Sequence, residues 1–415
     1  MKAFRFKTIV SILYIFFSAL ILCLFSSVVF RTQQEISVEE NRTLQKVPSF
    51  TITGFLNGEY QSQMENSIGD QLLWSSQIKY GVKQFYNHLT GAVSSLQKTH
   101  PAEVEPSEKN IVQNEDENVQ IDKGRYVYKE VVADKIYKLD DSGYLVEKPH
   151  APEEYCFELY DPAMLARVTY PKYLFFIMSS ESADFNDLHK YKTLDYIKTK
   201  MPMTGYSELT YTSFDEYKRY YYQTDHHWNY NGSYHGYVKI MQMLEGDDVE
   251  VVKPVSSHTY DAVFEGSYAR DNLLRCANQK FHVYLFNLKP YKTYVNDVEK
   301  EYGFRSWYVS DDDFPHKVYS NHYGLYYGDD RAKVVYDFNQ PEKESILILG
   351  TSFTNAVNEL IASHYNKTHV LDFRHYREWY GYDFDVQNYM TENKLSKVVI
   401  IGNISSLGYR IKKED

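Results

Sequence analysis

The chain has little cysteine and no excess of basic residues, and each shortage excludes a class of function. Its 415 residues include three cysteines, and no Cys/His spacing fits a zinc finger. The formal net charge is −11. Nonspecific nucleic-acid binding needs a basic face that displaces counterions, so we expect no nucleic-acid partner. The Gly-x-Ser-x-Gly elbow of the α/β-hydrolases is also absent.

The cysteines leave the redox state of the chain open. Cys23 lies in an apolar N-terminal run. Cys156 and Cys276 can pair in an oxidising compartment, or both can be free. A single optional disulfide does not define the fold.

The N-terminal segment has the length of a transmembrane helix. Three basic residues precede residues 8–30, a stretch of 23 residues without a charge, which spans a hydrocarbon core of about 30 Å. A cleaved signal peptide is the alternative, with a weak cleavage site at Ser26-Ser27. The charge bias places residues 1–7 in the cytoplasm. We therefore predict a single-pass, membrane-anchored protein whose bulk lies outside the cytoplasm, at the cell surface.

Three further parts follow the predicted anchor. Residues 31–93 form a membrane-proximal segment with helical periodicity from about Gly54 to Leu89. This helix either packs on the main domain as a stalk or contacts a membrane partner. Residues 94–120 are polar and read as a flexible linker or an insertion. Residues 121–415 show ordered patterning and form the predicted main domain.

The main domain has the alternating pattern of an α/β fold. Apolar runs at 173–178, 345–349, 368–373 and 397–401 predict buried strands. Helical stretches are predicted at 191–201, 232–244, 355–364 and 385–393. Strand-helix alternation predicts a parallel sheet with flanking crossover helices.

Three polar residues each follow one of the last three strands. They are Ser352, Arg374 and Asn403. Because ligands gather at the carboxyl ends of parallel strands, we predict a shared site there. Ser352 is the candidate nucleophile, although a helix N-cap is a common role for serine after a strand. Arg374, Thr351 and Asn403 are candidates to support an oxyanion or the substrate, with a surface salt bridge as the alternative for Arg374.

The run Thr224-Asp225-His226-His227-Trp228-Asn229 holds the candidate base. Asp225 can orient His227, and His227 can take a proton from Ser352, as in an acyl-transfer triad. This role requires a ring nitrogen of His227 within about 3–4 Å of Ser352 Oγ. The alternatives are a helix cap with satisfied histidines or a metal site. Adjacent histidines in an extended loop are expected to point to opposite sides, so no metal site is predicted.

Three aromatic or imidazole side chains are candidate substrate contacts: His226, Trp228 and Tyr323. Trp228 either floors a sugar cleft or packs in the core. Tyr323 lies in the tract 321–330, which has two glycines among aromatic residues and reads as a sugar-facing loop or as a plain surface loop.

The Thr-Asp-His-His-Trp run resembles the signature of the DHHW protein family, which is similar to the alginate O-acetyltransferase group. Glu-Glu-Asn-Arg-Thr-Leu at 39–44 and Phe-Glu-Gly-Ser at 264–267 also resemble segments of DHHW proteins. The resemblance implies an SGNH-hydrolase-like domain in which Asp225, His227 and Ser352 are catalytic. It departs at Gly-Thr-Ser-Phe, where Thr351 replaces the usual Asp.

The resemblance implies a serine O-acetyltransferase acting on a cell-surface or exported polysaccharide. A carbohydrate esterase of the same fold and a noncatalytic polysaccharide-binding or assembly protein are the alternatives, and a metal-dependent hydrolase is a third. No cofactor is predicted, and no acyl-donor pocket can be read from the sequence. Such enzymes are implied to receive acetyl groups from a membrane-embedded partner.

Overall fold

The structure is a computed structural model in which two compact units separate at residue 123. It describes residues 26, 33, 36–37, 42–43, 46–56, 59–71, 126–132, 136–139, 142–157, 162–272, 274–275, 278–300, 314 and 320–411.

The described part of the first unit contains two short paired strands and two helices. The strands are β1 (Ile36–Ser37) and β2 (Arg42–Thr43), and the helices are α1 (Ile52–Leu56) and α2 (Glu59–Gln71). Of the helix predicted from Gly54 to Leu89, the described residues 54–56 and 59–71 are helical, and the rest lie outside the described residues. The predicted anchor at 8–30, apart from Ser26, and the predicted linker at 94–120 lie outside the described residues. Among the described helices, none combines the length and the apolar character needed to cross a membrane.

The second unit is a mixed α/β domain. Its strands are β3 (Tyr128–Val132), β4 (Ile136–Leu139), β5 (Leu145–Glu147), β6 (Tyr155–Cys156), β7 (Lys172–Ile177), β8 (Gly205–Leu209), β9 (Ser256–Val263), β10 (Lys280–Leu285), β11 (Lys292–Val295), β12 (Val298–Lys300), β13 (Lys333–Asp337), β14 (Ile346–Gly350), β15 (Lys367–Leu371), β16 (Lys397–Gly402) and β17 (Tyr409–Arg410). Its helices are α3 (Pro162–Arg167), α4 (Thr193–Lys200), α5 (Phe214–Tyr220), α6 (Tyr230–Glu245), α7 (Ser267–Asn272), α8 (His322–Tyr327), α9 (Ser352–Asn355), α10 (Asn358–Ala362), α11 (Phe373–Tyr380), α12 (Val386–Glu392) and α13 (Ile404–Leu407). Short 3₁₀ turns cover Pro152–Glu154 and Ser180–Ser182.

An eight-stranded sheet organises this domain, in the order β12-β11-β13-β15-β14-β16-β7-β8. The pairs from β15 to β8 are parallel, whereas those from β12 to β15 are antiparallel. The predicted strands at 173–178, 345–349, 368–373 and 397–401 are all present in the parallel part. The prediction of a parallel sheet is thus confirmed, and the antiparallel extension was not foreseen.

Both faces of the parallel strands are buried, which is why these strands read as continuous apolar runs. Ile346 and Ile348 point into one hydrophobic cluster, and Leu347 and Leu349 point into another on the opposite face. Each of these four side chains is fully buried. The carboxyl ends of the strands are therefore held by packing on two sides.

Two predicted elements differ in detail from those observed. The helix predicted at 355–364 is α9 followed by α10, because the chain turns at Ala356 and Val357 between them. The tract 321–330 is not a surface loop over most of its length. It forms α8, capped by the Asn321 side chain, with most of its residues buried.

Helix α6 begins directly after the Asp-His-His-Trp run, and Asn229 caps it. Asn229 Oδ1 accepts from the amides of Asn231 and Gly232 at 2.9 and 3.0 Å. Its Nδ2 donates to the Tyr221 carbonyl at 3.1 Å. The predicted cap thereby fixes the backbone at the end of the run.

We expect Asn229→Ala to lower the free energy of unfolding by about 1–2 kcal/mol, because it removes a buried cap and leaves amides unpaired. Urea denaturation followed by circular dichroism measures this change. Asn393→Ala, at the exposed end of α12, is the control and should change stability by less than about 0.5 kcal/mol. Equal effects of the two substitutions would contradict the role of the cap.

Candidate active site

Asp225, His227 and Ser352 form a hydrogen-bonded line. His227 Nε2 lies 2.8 Å from Ser352 Oγ, and His227 Nδ1 lies 2.7 Å from Asp225 Oδ1. The first distance falls within the range expected from the sequence. A proton on Nδ1 leaves Nε2 free to accept the serine proton, so the geometry matches a nucleophile, a base and an orienting acid.

Asp225 is a buried carboxylate whose hydrogen bonds are well satisfied. Oδ1 also accepts from the His227 amide at 2.8 Å, and Oδ2 accepts from the Ser267 amide at 2.7 Å. Burial alone would raise the pKa of Asp225, but the neighbouring His227 and these hydrogen bonds hold it well below its usual value. The acid is therefore ionised when His227 needs to be oriented.

The imidazole of His227 is held between two rings. Tyr323 stacks on it with centroids 3.9 Å apart and planes 8° apart, and its hydroxyl donates to the Ser352 carbonyl at 3.2 Å. The ring of His226 lies at 3.7 Å. Because Tyr323 is buried, the structure gives it a positioning contact with the base in place of the predicted sugar contact.

His226 is the more accessible of the two histidines, with 35% of its side chain exposed. Its Nδ1 lies within hydrogen-bond distance of Ser267 Oγ. Burial lowers the pKa of His226, and the neighbouring His227 adds to this effect. A neutral, partly exposed ring beside the base is compatible with the substrate contact predicted for it.

Trp228 does not floor a cleft. Its side chain is fully buried, and Nε1 donates to the Phe353 carbonyl at 3.2 Å. The predicted sugar contact is thus wrong for this residue, and the packing alternative is correct. Because Phe353 follows Ser352, this bond links the segment of the base to the segment of the nucleophile.

Ser352 is the first residue of α9, and Thr351 occupies the N-cap position without a capping side-chain bond. Ser352 is therefore not an N-cap, and its hydroxyl is free to face His227. Ser352 is 9% exposed, so most of its surface is buried. Thr351 Oγ1 lies 3.0 Å from Ser406 Oγ.

The other two strand ends contribute charged and amide groups. Arg374, just after β15, pairs with Asp372 and, at 2.9 Å, with Asp330, which matches the predicted salt-bridge alternative. Asn403, just after β16, donates to Glu181 Oε2 at 3.2 Å and caps α13. All three strand ends therefore carry polar residues at one edge of the sheet, as predicted.

Asp330 brings a second acid into electrostatic contact with the base. Burial would raise its pKa, but His375, Arg374 and His227 lower it. The interaction also raises the pKa of His375, whose Nε2 lies 3.9 Å from Asp330 Oδ2. The position of Asp330 in the sequence, relative to the other site residues, gave no indication that it interacts with His227.

Ser267 was also missed as a site residue. It lies in the Phe-Glu-Gly-Ser segment, which the family resemblance singled out without giving it a role. A Cβ at Gly266 would lie 2.3 Å from the Asp225 Cβ, so glycine is required for the backbone to reach the acid. This close approach places the Phe-Glu-Gly-Ser segment directly against the Asp-His-His-Trp run.

Two clusters of the described residues have the ligand types of a metal site: Asp225-His226-His227 and Asp330-Asp372-His375. The expectation that the two adjacent histidines point to opposite sides is wrong, since their ring centroids lie 3.7 Å apart with the planes tilted by 36°. However, both nitrogens of His227 already have partners, and Arg374 pairs with both carboxylates of the second cluster. A metal at the first cluster would have to displace the serine or the acid.

No protein-family model matches the chain, and no curated protein matches it. Among solved structures, a DHHW family protein from Eubacterium siraeum DSM 15702 is 16% identical, with a TM-score of 0.50, over 68% of this chain and 95% of that one. Bacillus cereus PatB1 is 20% identical over 66% of this chain and 97% of its own, with a TM-score of 0.47. The O-acetyltransferase domain of Pseudomonas putida AlgJ is 10% identical over 66% and 92%, with a TM-score of 0.34.

The likeness to the DHHW family protein shows that the two chains share a fold. The resemblance predicted from the motifs is confirmed at this level. The identity is too low to carry more than the fold, so function depends on the site itself.

The lowered pKa of His226 predicts a pH dependence of stability. The unfolded chain, with an ordinary histidine pKa near 6.5, binds this proton more readily than the folded chain does. The contribution of the neutral ring is therefore fully present above about pH 7 and is lost as the pH falls. We expect His226→Gln to flatten the decline in unfolding free energy between about pH 7 and pH 4, measured by urea titration at a series of pH values. Identical slopes in both proteins would refute this.

Proposed function

We propose that the protein is an extracytoplasmic, membrane-anchored serine O-acyltransferase that acetylates a cell-surface or exported polysaccharide. The observation that carries the proposal is the continuous line from Asp225 through His227 to Ser352, with bonds of 2.7 and 2.8 Å. The motif resemblance supports the acetyl group and the SGNH-hydrolase-like class. The uncharged stretch at 8–30 supports the anchor.

The proposed reaction has two acyl transfers. Ser352 Oγ attacks the carbonyl carbon of the acyl donor while His227 Nε2 takes the serine proton, and Asp225 stabilises the resulting imidazolium. When the intermediate collapses, His227 returns the proton to the leaving group and an acyl-serine remains. A sugar hydroxyl then attacks the acyl-serine as His227 accepts its proton. Collapse releases the sugar ester, and His227 protonates Ser352.

Main-chain amides are the proposed donors to the oxyanion. Ser352 stands at the first position of α9, where backbone N–H groups have no partner within the helix. Arg374 is less suited to the oxyanion support predicted for it, because its guanidinium already pairs with the carboxylates of Asp330 and Asp372.

An esterase of the same fold is the second candidate, and the burial of both reacting side chains supports transfer over hydrolysis. Ser352 is 9% exposed and His227 is 6% exposed. Limited access of water to an acyl-serine gives a sugar hydroxyl the time to react first. The acyl donor is proposed to be a membrane-embedded partner, as the resemblance implies.

A chromogenic acetyl ester tests the triad. We expect Ser352→Ala and His227→Ala each to lower kcat by about 10³-fold or more, because the nucleophile and the base act as a unit. Asp225→Asn should lower kcat by about 10²–10⁴-fold. Ser345→Ala, at the opposite end of β14, is the matched control and should keep wild-type turnover. Equal turnover in all variants would favour the noncatalytic binding or assembly protein.

Metal removal separates the proposed serine mechanism from a metal-dependent hydrolase. We expect EDTA followed by desalting to leave turnover of the chromogenic ester unchanged, since His227 Nδ1 and Asp225 Oδ1 are already hydrogen-bonded to each other. Turnover that disappears with chelator and returns with Zn²⁺ would contradict the proposal. Metal content of the purified protein, measured by mass spectrometry, is the accompanying readout.

A further inference from the structure

A buried chain of hydrogen bonds lies behind the nucleophile. Thr351 Oγ1 lies 3.0 Å from Ser406 Oγ, and Ser406 Oγ donates to Asn403 Oδ1. Asn403 Nδ2 donates to Glu181 Oε2 at 3.2 Å. All four side chains are at least nine-tenths buried. The chain therefore connects the residue next to Ser352 with a buried acid that the sequence did not single out.

The hydrogen bonds in this series all run in one direction, from Thr351 to Glu181. A hydroxyl has one proton, and that of Ser406 goes to Asn403, so Ser406 accepts from Thr351. The chain ends on the Glu181 carboxylate, which accepts when ionised. Hydrogen bonds aligned in this manner strengthen one another in a buried environment. A threonine hydroxyl beside Ser352 fits this order, because it supplies the first donor.

The chain joins the ends of three neighbouring parallel strands. Thr351 follows β14, Asn403 follows β16, and Glu181 lies in the turn after β7. In the sheet these strands are adjacent, in the order β14-β16-β7. The loop that carries the nucleophile is thus tied sideways to two further loops at the same edge.

Asn403 has no amide proton left for an oxyanion in this arrangement. One contact of Nδ2 is Glu181 Oε2, and the other is Ser179 Oγ at 3.4 Å. Its Oδ1 accepts from the amide and the hydroxyl of Ser406. The whole side chain faces the strand-end loops, which contradicts the oxyanion role predicted for it from the sequence.

We propose that Asn403 and Glu181 are positioning residues that hold the Thr351-Ser352 backbone so that Ser352 Oγ stays in line with His227. This rests on the proposed acyl-transfer function. In this proposal Asn403 does not donate to the oxyanion. Glu181 and Ser406 affect catalysis by positioning the nucleophile, without contacting the substrate.

A donor swap tests the proposal. Asn403→Asp removes the amide donor and sets two carboxylates side by side, which should lower kcat for the chromogenic ester about 10–100-fold with KM little changed. The double variant N403D/E181Q supplies an amide from the other side and restores the hydrogen bond. We expect it to regain at least half of the lost activity on a logarithmic scale.

An oxyanion role predicts the opposite result. A carboxylate cannot donate to an oxyanion, so N403D/E181Q would remain as impaired as N403D, by about 10²–10³-fold. That outcome would overturn the proposal. Asn393→Asp, on the exposed end of α12, is the matched control and should keep wild-type kcat and KM.

A second pair of variants keeps the test decisive should N403D fail to fold. Thr351→Val keeps the shape and removes the first donor, whereas Thr351→Ser keeps the donor. We expect the valine variant to lose at least about 10-fold more kcat than the serine variant, since a misaligned nucleophile reacts slowly. Equal losses would overturn the proposal.

The experiments distinguish a failure of the proposed acyl-transfer function from a failure of the positioning role of Asn403 and Glu181. A wild-type protein that neither turns over the ester nor is labelled at Ser352 by a sulfonyl fluoride has no active nucleophile to position, and both inferences then fall. A labelled, active wild type with no recovery in N403D/E181Q overturns the positioning chain alone.

Discussion

The arrangement of the candidate site depends on one buried carboxylate, that of Asp225. An ionised carboxylate inside a protein costs several kcal/mol unless hydrogen bonds and a partner charge compensate for it. Here the amide and ring of His227 and the amide of Ser267 supply that compensation. The Ser267 amide can reach the acid only because Gly266 has no Cβ. Satisfying a single charge thus orients the base and determines the path of a segment some forty residues further along the chain.

The base and the nucleophile come from different parts of the domain, and Trp228 joins them. Ser352 stands at the end of β14, between two hydrophobic clusters. His227 lies before α6, outside the sheet. The indole of Trp228 is fully buried and donates to the carbonyl of Phe353, next to the nucleophile. It packs so closely on α6 that a Cβ at Gly236 would lie 2.4 Å from its ring. Rigid packing on both sides keeps the separation of His227 and Ser352 short.

Sequence patterns predicted the parallel strands and the three strand-end residues because a strand buried on both faces appears in the sequence as a continuous apolar run. They predicted the Asp225-His227-Ser352 group because the motif spacing and the strand-helix boundary both point to it. They did not identify Asp330 or Glu181 as residues of the site, because contacts between side chains on different loops leave no periodic pattern in the sequence. They misassigned Trp228 for a related reason: a residue type shows what a side chain can do, and only packing decides which way it faces. The antiparallel strands β11 to β13 were missed because they are short and only partly buried.

Charge balance around His227 suits the transient imidazolium that the proposed reaction requires. Two carboxylates, Asp225 and Asp330, act on this ring. Asp225 is hydrogen-bonded to His227 itself, whereas Arg374 pairs with both Asp330 and Asp372 and so limits the field of the second acid. The neighbouring His226 has a lowered pKa and is neutral, so it adds no competing positive charge. In the proposed reaction His227 gains a positive charge as it takes the proton of Ser352. The buried Asp225 carboxylate, hydrogen-bonded to His227 Nδ1 at 2.7 Å, is placed to stabilise that charge.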